Sequence, residues 1–195
     1  MKKFAIITIV VIAAVTAYFF FIINNNISVN PSLNSRLPRA GSRGEFASNN
    51  MKISSSAFQN DSSIPLVYTC DGSNINPPLT FSDVPTEAKS LALIMDDPDA
   101  PVGVWDHWIV WNIPPDTKEI KEGSEPSGLQ GMTSFKKLGY GGPCPPDREH
   151  RYFFKLYALD AMLDLPEGSA KREVEAAMQG RIIAEAELIG KYDRK

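Results

Sequence analysis

From residue 51 onward, apolar runs are short and are punctuated by Pro, Gly, Asn and Asp. Residues 90–95 (SLALIM), 107–113 (HWIVWNI) and 152–159 (YFFKLYAL) have the length and the β-branched or aromatic content of strands. Their near-continuous apolarity predicts central strands covered on both faces. Residues 66–69 and 79–81 are shorter strand candidates, and residues 182–189 alternate enough to form a last strand. One good helix is predicted, over 169–178. Ser169 is its expected N-cap, Val174, Ala177 and Met178 recur at helical spacing, and Arg172, Glu173, Glu175 and Gln179 face water. Gly180 fits as its C-terminal stop. Many strands, little helix and 15 prolines predict a mainly β fold. The expected form is an antiparallel β-sandwich with one short helix in the C-terminal region. No internal repeat is visible.

The first 50 residues have another pattern. Residues 4–23 (FAIITIVVIAAVTAYFFFII) carry no charge, and a helix of that length spans roughly 30 Å, the thickness of a bilayer core. Lys2 and Lys3 precede the run, and no basic residue follows until Arg36. The positive-inside rule then leaves the N-terminus in the cytoplasm and the rest of the chain outside. A buried core helix is the bland alternative, but the segment is terminal and apolar on every side. Cleavage at Val15-Thr16-Ala17 is the other alternative, giving a secreted protein. It would leave Tyr18-Phe19-Phe20-Phe21 as an exposed apolar stub. The expectation is therefore a retained signal anchor, a single N-terminal transmembrane helix over 1–23. No cysteine precedes Cys70, which excludes a lipidated N-terminal cysteine. Residues 24–50, rich in Asn, Ser, Arg, Gly and Pro, cannot bury enough surface to offset ordering entropy and are expected to be a flexible linker. Its random-coil reach is roughly 30 Å. The folded domain is expected over 51–195.

Composition narrows the class. The chain of 195 residues is 43% hydrophobic with two cysteines, which fits one globular domain with an appendage. It is neither collagen-like, nor disulfide-dense, nor wholly disordered. Residues 1–50 hold five basic residues and one acid, Glu45, out of 20 and 23 in the chain, so the remainder carries a balance of −7. No basic stripe for nucleic acid is present, and bulk charge does not favour anionic membranes.

Only two histidines occur, each beside a cluster of polar and turn residues. The acidic stretch Asp96-Asp97-Pro98-Asp99-Ala100-Pro101 leads through Trp105-Asp106 to His107. The stretch Gly139-Tyr140-Gly141-Gly142-Pro143-Cys144-Pro145-Pro146 leads to His150-Arg151-Tyr152. Taken singly, each is an ordinary turn, a rigid loop or a structural histidine. Together they mount two imidazoles, an acid and a phenol at strand ends, where binding groups are usually held. Imidazole and phenol donate hydrogen bonds. Gly141 and Gly142 lack Cβ, so a ligand could approach backbone N–H groups. Asp97 would orient a histidine or receive a cationic group, and Trp105 and Trp108 would line a mouth. This set favours a small anion such as a substituted phosphate.

Competing chemistries are weaker. Two histidines and a carboxylate are a possible metal set, but no H-E-x-x-H or C-x-x-C occurs. No G-x-S-x-G marks a serine hydrolase. Cys144 near His150 is a possible nucleophile, yet Cys70 and Cys144 outside the cytoplasm more simply form one disulfide. No cofactor and no metal are expected.

Several segments, in order, resemble the phosphatidylethanolamine-binding protein family, in its prokaryotic Raf-kinase-inhibitor-like (YbhB/YbcL-type) branch. They are Tyr68-Thr69-Cys70-Asp71-Gly72 with Asn76-Pro77-Pro78-Leu79, DPDAP at 97–101, HWIVWNIP at 107–114, GYGGPCPP at 139–146 and HRYFFKLYALD at 150–160. The resemblance covers about residues 51–192 and leaves the leader and linker outside. It implies a β-sandwich with a small pocket for phosphate-like anions. By motif position it implies that Asp97 is the pocket carboxylate, His107 and His150 the histidines, and Tyr152 the tyrosine. It also implies a glycine loop at 142–144, with Cys144 where glycine is frequent, and wall positions at Pro101 and Trp105. The expected function is a membrane-tethered, extracytoplasmic binder of a small phosphorylated or anionic ligand, such as a phospholipid head group. It is not expected to be an enzyme, and homodimers occur in the family. A serine-protease inhibitor using a loop within 121–135 is the alternative. A hydrolase with histidine as acid–base is a third reading.

Overall fold

The computed structural model describes residues 50–194. The anchor expected at 4–23, and all of the linker but Asn50, lie outside the described residues. Among those described, no helix is long and apolar enough to cross a membrane.

The three apolar runs form the centre of the domain. Strands β4 (Ser90–Asp97), β5 (Trp105–Ile113) and β8 (His150–Leu159) are neighbours, with β4 antiparallel to both of the others. All eight residues of β4 are buried. The two-residue side-chain period explains why. Leu91, Leu93 and Met95 point into one core, and Ala92 and Ile94 into another. The strand β9 (Ile182–Tyr192) runs antiparallel along β8 over nearly its whole length. Short strands β2 (Ser62–Ser63) and β7 (Leu129–Gln130) complete a six-stranded sheet in the order β2-β9-β8-β4-β5-β7.

A second sheet contains β1 (Lys52–Ser54), β3 (Leu79–Ser82) and β6 (Glu119–Ile120), paired β1-β3-β6. Its Ile53, Leu79, Phe81 and Ile120 join Leu91, Leu93 and Trp108 in the larger core. The helix α1 (Lys171–Met178) brings Val174 and Met178 to the core on the opposite face, with Ile109 and Trp111.

Mainly β with one helix is therefore the architecture, but the expected antiparallel sandwich needs correction. The large sheet is mixed, because β2 pairs in parallel with β9. The second sheet has only three short strands, so one dominant sheet carries a small sheet on one face and a helix on the other. Residues 66–69 are also not a strand. Leu66–Tyr68 form a 3-10 turn after Pro65. The helix cap sits one residue later than expected. Ser169 Oγ donates to Pro166 O at 2.7 Å, and Glu173 instead accepts the Ala170 N–H at 2.8 Å. Gly180 does end the helical segment, with φ +72°.

Candidate functional site

The acidic run does not break the strand, as its turn-forming residues imply; β4 continues through Asp96 and Asp97. Both carboxylates find partners there, on different sides. Asp96 is held by Lys155 at 2.9 Å and by Lys171, from α1, at 3.2 Å. Asp97 accepts the Asp99 N–H at 2.8 Å through Oδ1 and faces His150 Nδ1 at 2.7 Å through Oδ2. The connection after β4 is tied back to β8. Arg151 donates to both carboxylate oxygens of Asp99 at 2.8 Å, which holds the Asp99 carboxyl down at about 2 against the opposing effect of burial.

A register shift aims His107. Met95 pairs with Trp108, but Asp96 pairs with Asp106, so His107 is the extra residue of a bulge in β5. The ring is buried, edge-on to Tyr152 and Phe135 at centroid distances of 5.2 Å. Its Nδ1 lies 2.6 Å from the Gly141 carbonyl. A carbonyl only accepts, so Nδ1 carries the hydrogen and Nε2 of the neutral ring is an acceptor. Burial lowers the pKa of this histidine; the Gly141 hydrogen bond and the charges of Asp97, Asp106 and Asp96 oppose the shift without reversing it.

His150 has the opposite character. Its ring is fully buried, with Nδ1 on Asp97 and Nε2 2.9 Å from Asp147 Oδ1. Burial works against a charge here too, but the hydrogen bonds to Asp97 and Asp147, together with their charges, outweigh it and raise the pKa above 6.5. Only an imidazolium donates from both nitrogens, so in its protonated form His150 bridges the two carboxylates.

The cavity that results has a volume of about 450 Å³. Asp97, Pro101, Trp105, His107 and Cys144 line it, as expected for five of the site residues. Phe135, Val102, Ala100 and Pro146 complete the wall. Phe135 is the main residue that sequence reading missed. It packs edge-on against both Trp105 and His107, and the available signal was a lone aromatic in a Gly/Ser-rich stretch. Asp147 was missed as well, although it lies three residues from His150.

Other expected residues take different places. Tyr152 is buried beside His107, and its hydroxyl has no hydrogen-bond partner among the described residues. A weak interaction with the Cys144 backbone N–H lowers the phenol pKa, and burial outweighs it. Burial pushes the Tyr152 phenol far up. His150 lies behind Asp97, on its Oδ2, and is not among the residues that line the cavity. Gly141 and Gly142 line a neighbouring hollow of about 320 Å³ that shares Phe135 and Cys144 with the first. Their N–H groups are already used: Gly141 donates to His107 O at 2.9 Å and Gly142 to Asn74 Oδ1 at 2.7 Å. The missing Cβ serves packing instead. A Cβ on Gly141 would stand 2.5 Å from the Phe135 ring. Trp108 is no mouth residue either; it is buried, and its Nε1 donates to Gln130 at 3.1 Å.

Cys70 and Cys144 form a disulfide, with Cα atoms 5.4 Å apart. The Cys144 sulfur is thus engaged and is no free nucleophile. Among the described residues, no group of three or more His, Cys, Asp or Glu side chains is placed to hold a metal ion. The stretch 121–135 is braced. Gln130 lies in β7, Lys121 O accepts the Asn76 amide at 2.9 Å, and Thr133 Oγ1 donates to Lys137 O.

Fold and site together define a class of small mainly β domain, with a preformed cavity at the ends of adjacent central strands. Comparison with known proteins identifies that class. A sequence profile of the phosphatidylethanolamine-binding protein family matches residues 54–193. A UPF0098 protein of Methanothermobacter thermautotrophicus is 53% identical over 150 residues, covering 74% of this chain and 99% of its own. The crystal structure of a phosphatidylethanolamine-binding protein homologue, CT736 from Chlamydia trachomatis, superposes with a TM-score of 0.74 at 48% identity, covering 76% of this chain and 100% of the other. That of Escherichia coli YbcL, described as a member of the mammalian family, gives 0.70 at 31% identity, covering 74% and 99%. The chain belongs to the phosphatidylethanolamine-binding protein family.

Proposed function

We propose that this domain binds a small phosphate-type oxyanion, free or as the head group of a larger molecule, in the 450 Å³ cavity. One observation carries the reading. The hydroxyl of the buried Tyr152 has no hydrogen-bond acceptor among the described residues, and its ring lies edge-on to the cavity-lining His107. A buried hydroxyl left unpaired costs about 1–3 kcal/mol, and an anion oxygen would accept its hydrogen. The apolar walls from Pro101, Val102, Trp105 and Phe135 suit an organic substituent. Binding rather than turnover is the proposed activity, and the disulfide-bound Cys144 supports it. The braced stretch 121–135 supports the cavity, rather than a projecting inhibitory loop, as the working part. Tethering outside the cytoplasm by residues 4–23 is part of the proposal. The apolar leader and a disulfide suited to an oxidising compartment support it.

The test is an NMR titration of residues 51–195 within the full chain in detergent, using inorganic phosphate and O-phosphoethanolamine. The His107 ring and the Tyr152 hydroxyl neighbourhood are expected to shift saturably at millimolar ligand. Resonances that stay in place throughout would remove the proposed function.

A further inference from the structure

We propose that the mouth of the cavity is a docking surface for a phospholipid bilayer, which it meets through the segments 98–104 and 133–138. The inference rests on the tethering part of the reading above and adds which face of the domain touches the lipid.

The first observation is where apolar surface is left uncovered. Val102 is the most exposed large apolar side chain among the described residues, at 79%, and Val104 on the same loop is 54% exposed. Leu138, at 45%, follows on the second segment, between two residues that line the adjoining hollow, Lys137 and Gly139. Single exposed apolar residues are ordinary, but grouped at one opening and flanked by polar ones they mark an interaction surface. The two segments do stand at one opening. Val102 and Phe135 line the same cavity, Trp105 packs edge-on against Phe135, and Ser134 exchanges hydrogen bonds of 2.9 and 3.0 Å with the Asp106 backbone.

The second observation is that both segments are already fixed. The Gly103 N–H donates to Ala100 O at 3.1 Å, and Lys137 O accepts from the Thr133 N–H at 3.0 Å and from Thr133 Oγ1 at 2.8 Å. Preformed tips lose little freedom on docking.

Charge selects the occupant. The second segment carries Lys136 and Lys137, both exposed, and neither forms an ion pair among the described residues. Lysine stems beside apolar side chains, with the ammonium groups at the level of lipid phosphates, suit a membrane interface, and a partly exposed Trp105 suits it too. A two-fold pair of this chain would instead set the same lysines against each other. The uncharged run at 4–23 and a linker with a reach of roughly 30 Å would make docking an intramolecular event, for which a small collar suffices.

Methyl NMR of the full-length chain in phosphatidylcholine nanodiscs, with and without gadolinium-chelating lipid head groups, tests this. The methyl signals of Val102, Val104 and Leu138 are expected to be lost to gadolinium, while that of Ile182 persists. Ile182 pairs with Leu159, at the end of β8 opposite His150, roughly 30 Å along the strand. Val104→Ser combined with Leu138→Ser should restore the Val102 signal, and Lys136→Glu combined with Lys137→Glu should do the same, with the Ile182 signal in place as the check on folding. Rim signals that persist on discs carrying the protein, equal loss at Ile182, or loss unchanged in both variants overturns this inference and leaves the tethering reading standing. Rim shifts that grow with the number of copies per disc, without gadolinium broadening, assign the collar to a second copy and overturn it likewise. A chain that does not enter the discs removes the tethering reading, and this inference with it.

Discussion

His150 and His107 are the same residue type on the two strands that flank β4, and their surroundings drive them in opposite directions. His150 faces carboxylates through both nitrogens; His107 faces a carbonyl and two aromatic edges. The raised folded pKa of His150 has a defined consequence. Its stabilising contribution is fully present below the unfolded value of about 6.5 and is lost as pH rises through the higher folded value. Above that value the neutral ring keeps one N–H. The buried Asp97 retains it, because the half-exposed Asp147 can turn to water at lower cost. NMR titration should place the His150 midpoint above 6.5, the ordinary histidine value, and Asp147→Asn should lower it. A midpoint at or below the unfolded value would contradict the double clamp. Gly142 gives a second residue-scale prediction. A Cβ there would stand 2.4 Å from the Tyr68 carbonyl oxygen and 2.6 Å from Asn74 Oδ1. Gly142→Ala should destabilise the domain by about 1–3 kcal/mol in urea unfolding, and an unchanged midpoint would show that the loop yields freely.

Among the elements, β4 is the one on which most depends. Leu93, fully buried at its centre, packs in the larger core beside both neighbouring strands. Leu93→Ala should cost about 2–5 kcal/mol, read as a lower denaturant midpoint with an unchanged m-value. The central strands were legible because a run apolar on both faces has few other solutions. So was the helix, from the spacing of Val174 and Met178 and the stop at Gly180. Of the short strands, β3 was legible at residues 79–81, but the two-residue strands were not. β2, β6 and β7 have two residues each, and their pairing depends on partners distant in sequence. The bulge at His107 was hidden for the same reason: register belongs to a pair of strands, and one strand's sequence does not state it. Asp96 and Asp97 looked like a turn because their strand-compatible partners, Lys155, Lys171 and His150, come from elsewhere in the chain.

At the scale of the molecule, the sequence made the expected residues visible but not their placement. Five of them line the cavity; His150, Tyr152 and the two glycines lie behind or beside it. That difference lies in which hydrogen-bonding groups are already occupied, a three-dimensional fact. The disulfide adds a global constraint, joining positions 74 residues apart across the turn at Thr69–Gly72 and the loop that carries Cys144. Replacing both cysteines by serine should lower stability by roughly 2–4 kcal/mol, measured by thermal unfolding against the oxidised parent. Equal melting temperatures would mean that the folded loops hold their positions without the link.

The segment between β4 and β5 has one more consequence. Its tip is Val102, 79% exposed, followed by Gly103 at φ +100° with nothing within 4 Å of where a Cβ would stand. Its base is riveted by the Asp99–Arg151 pair. The aperture can thus be recut at its outer edge while the floor, set by Asp97 and His107, stays in place. Under the proposed function, selectivity for a guest's organic substituent and recognition of its polar head are separable properties, open to independent tuning by an engineer.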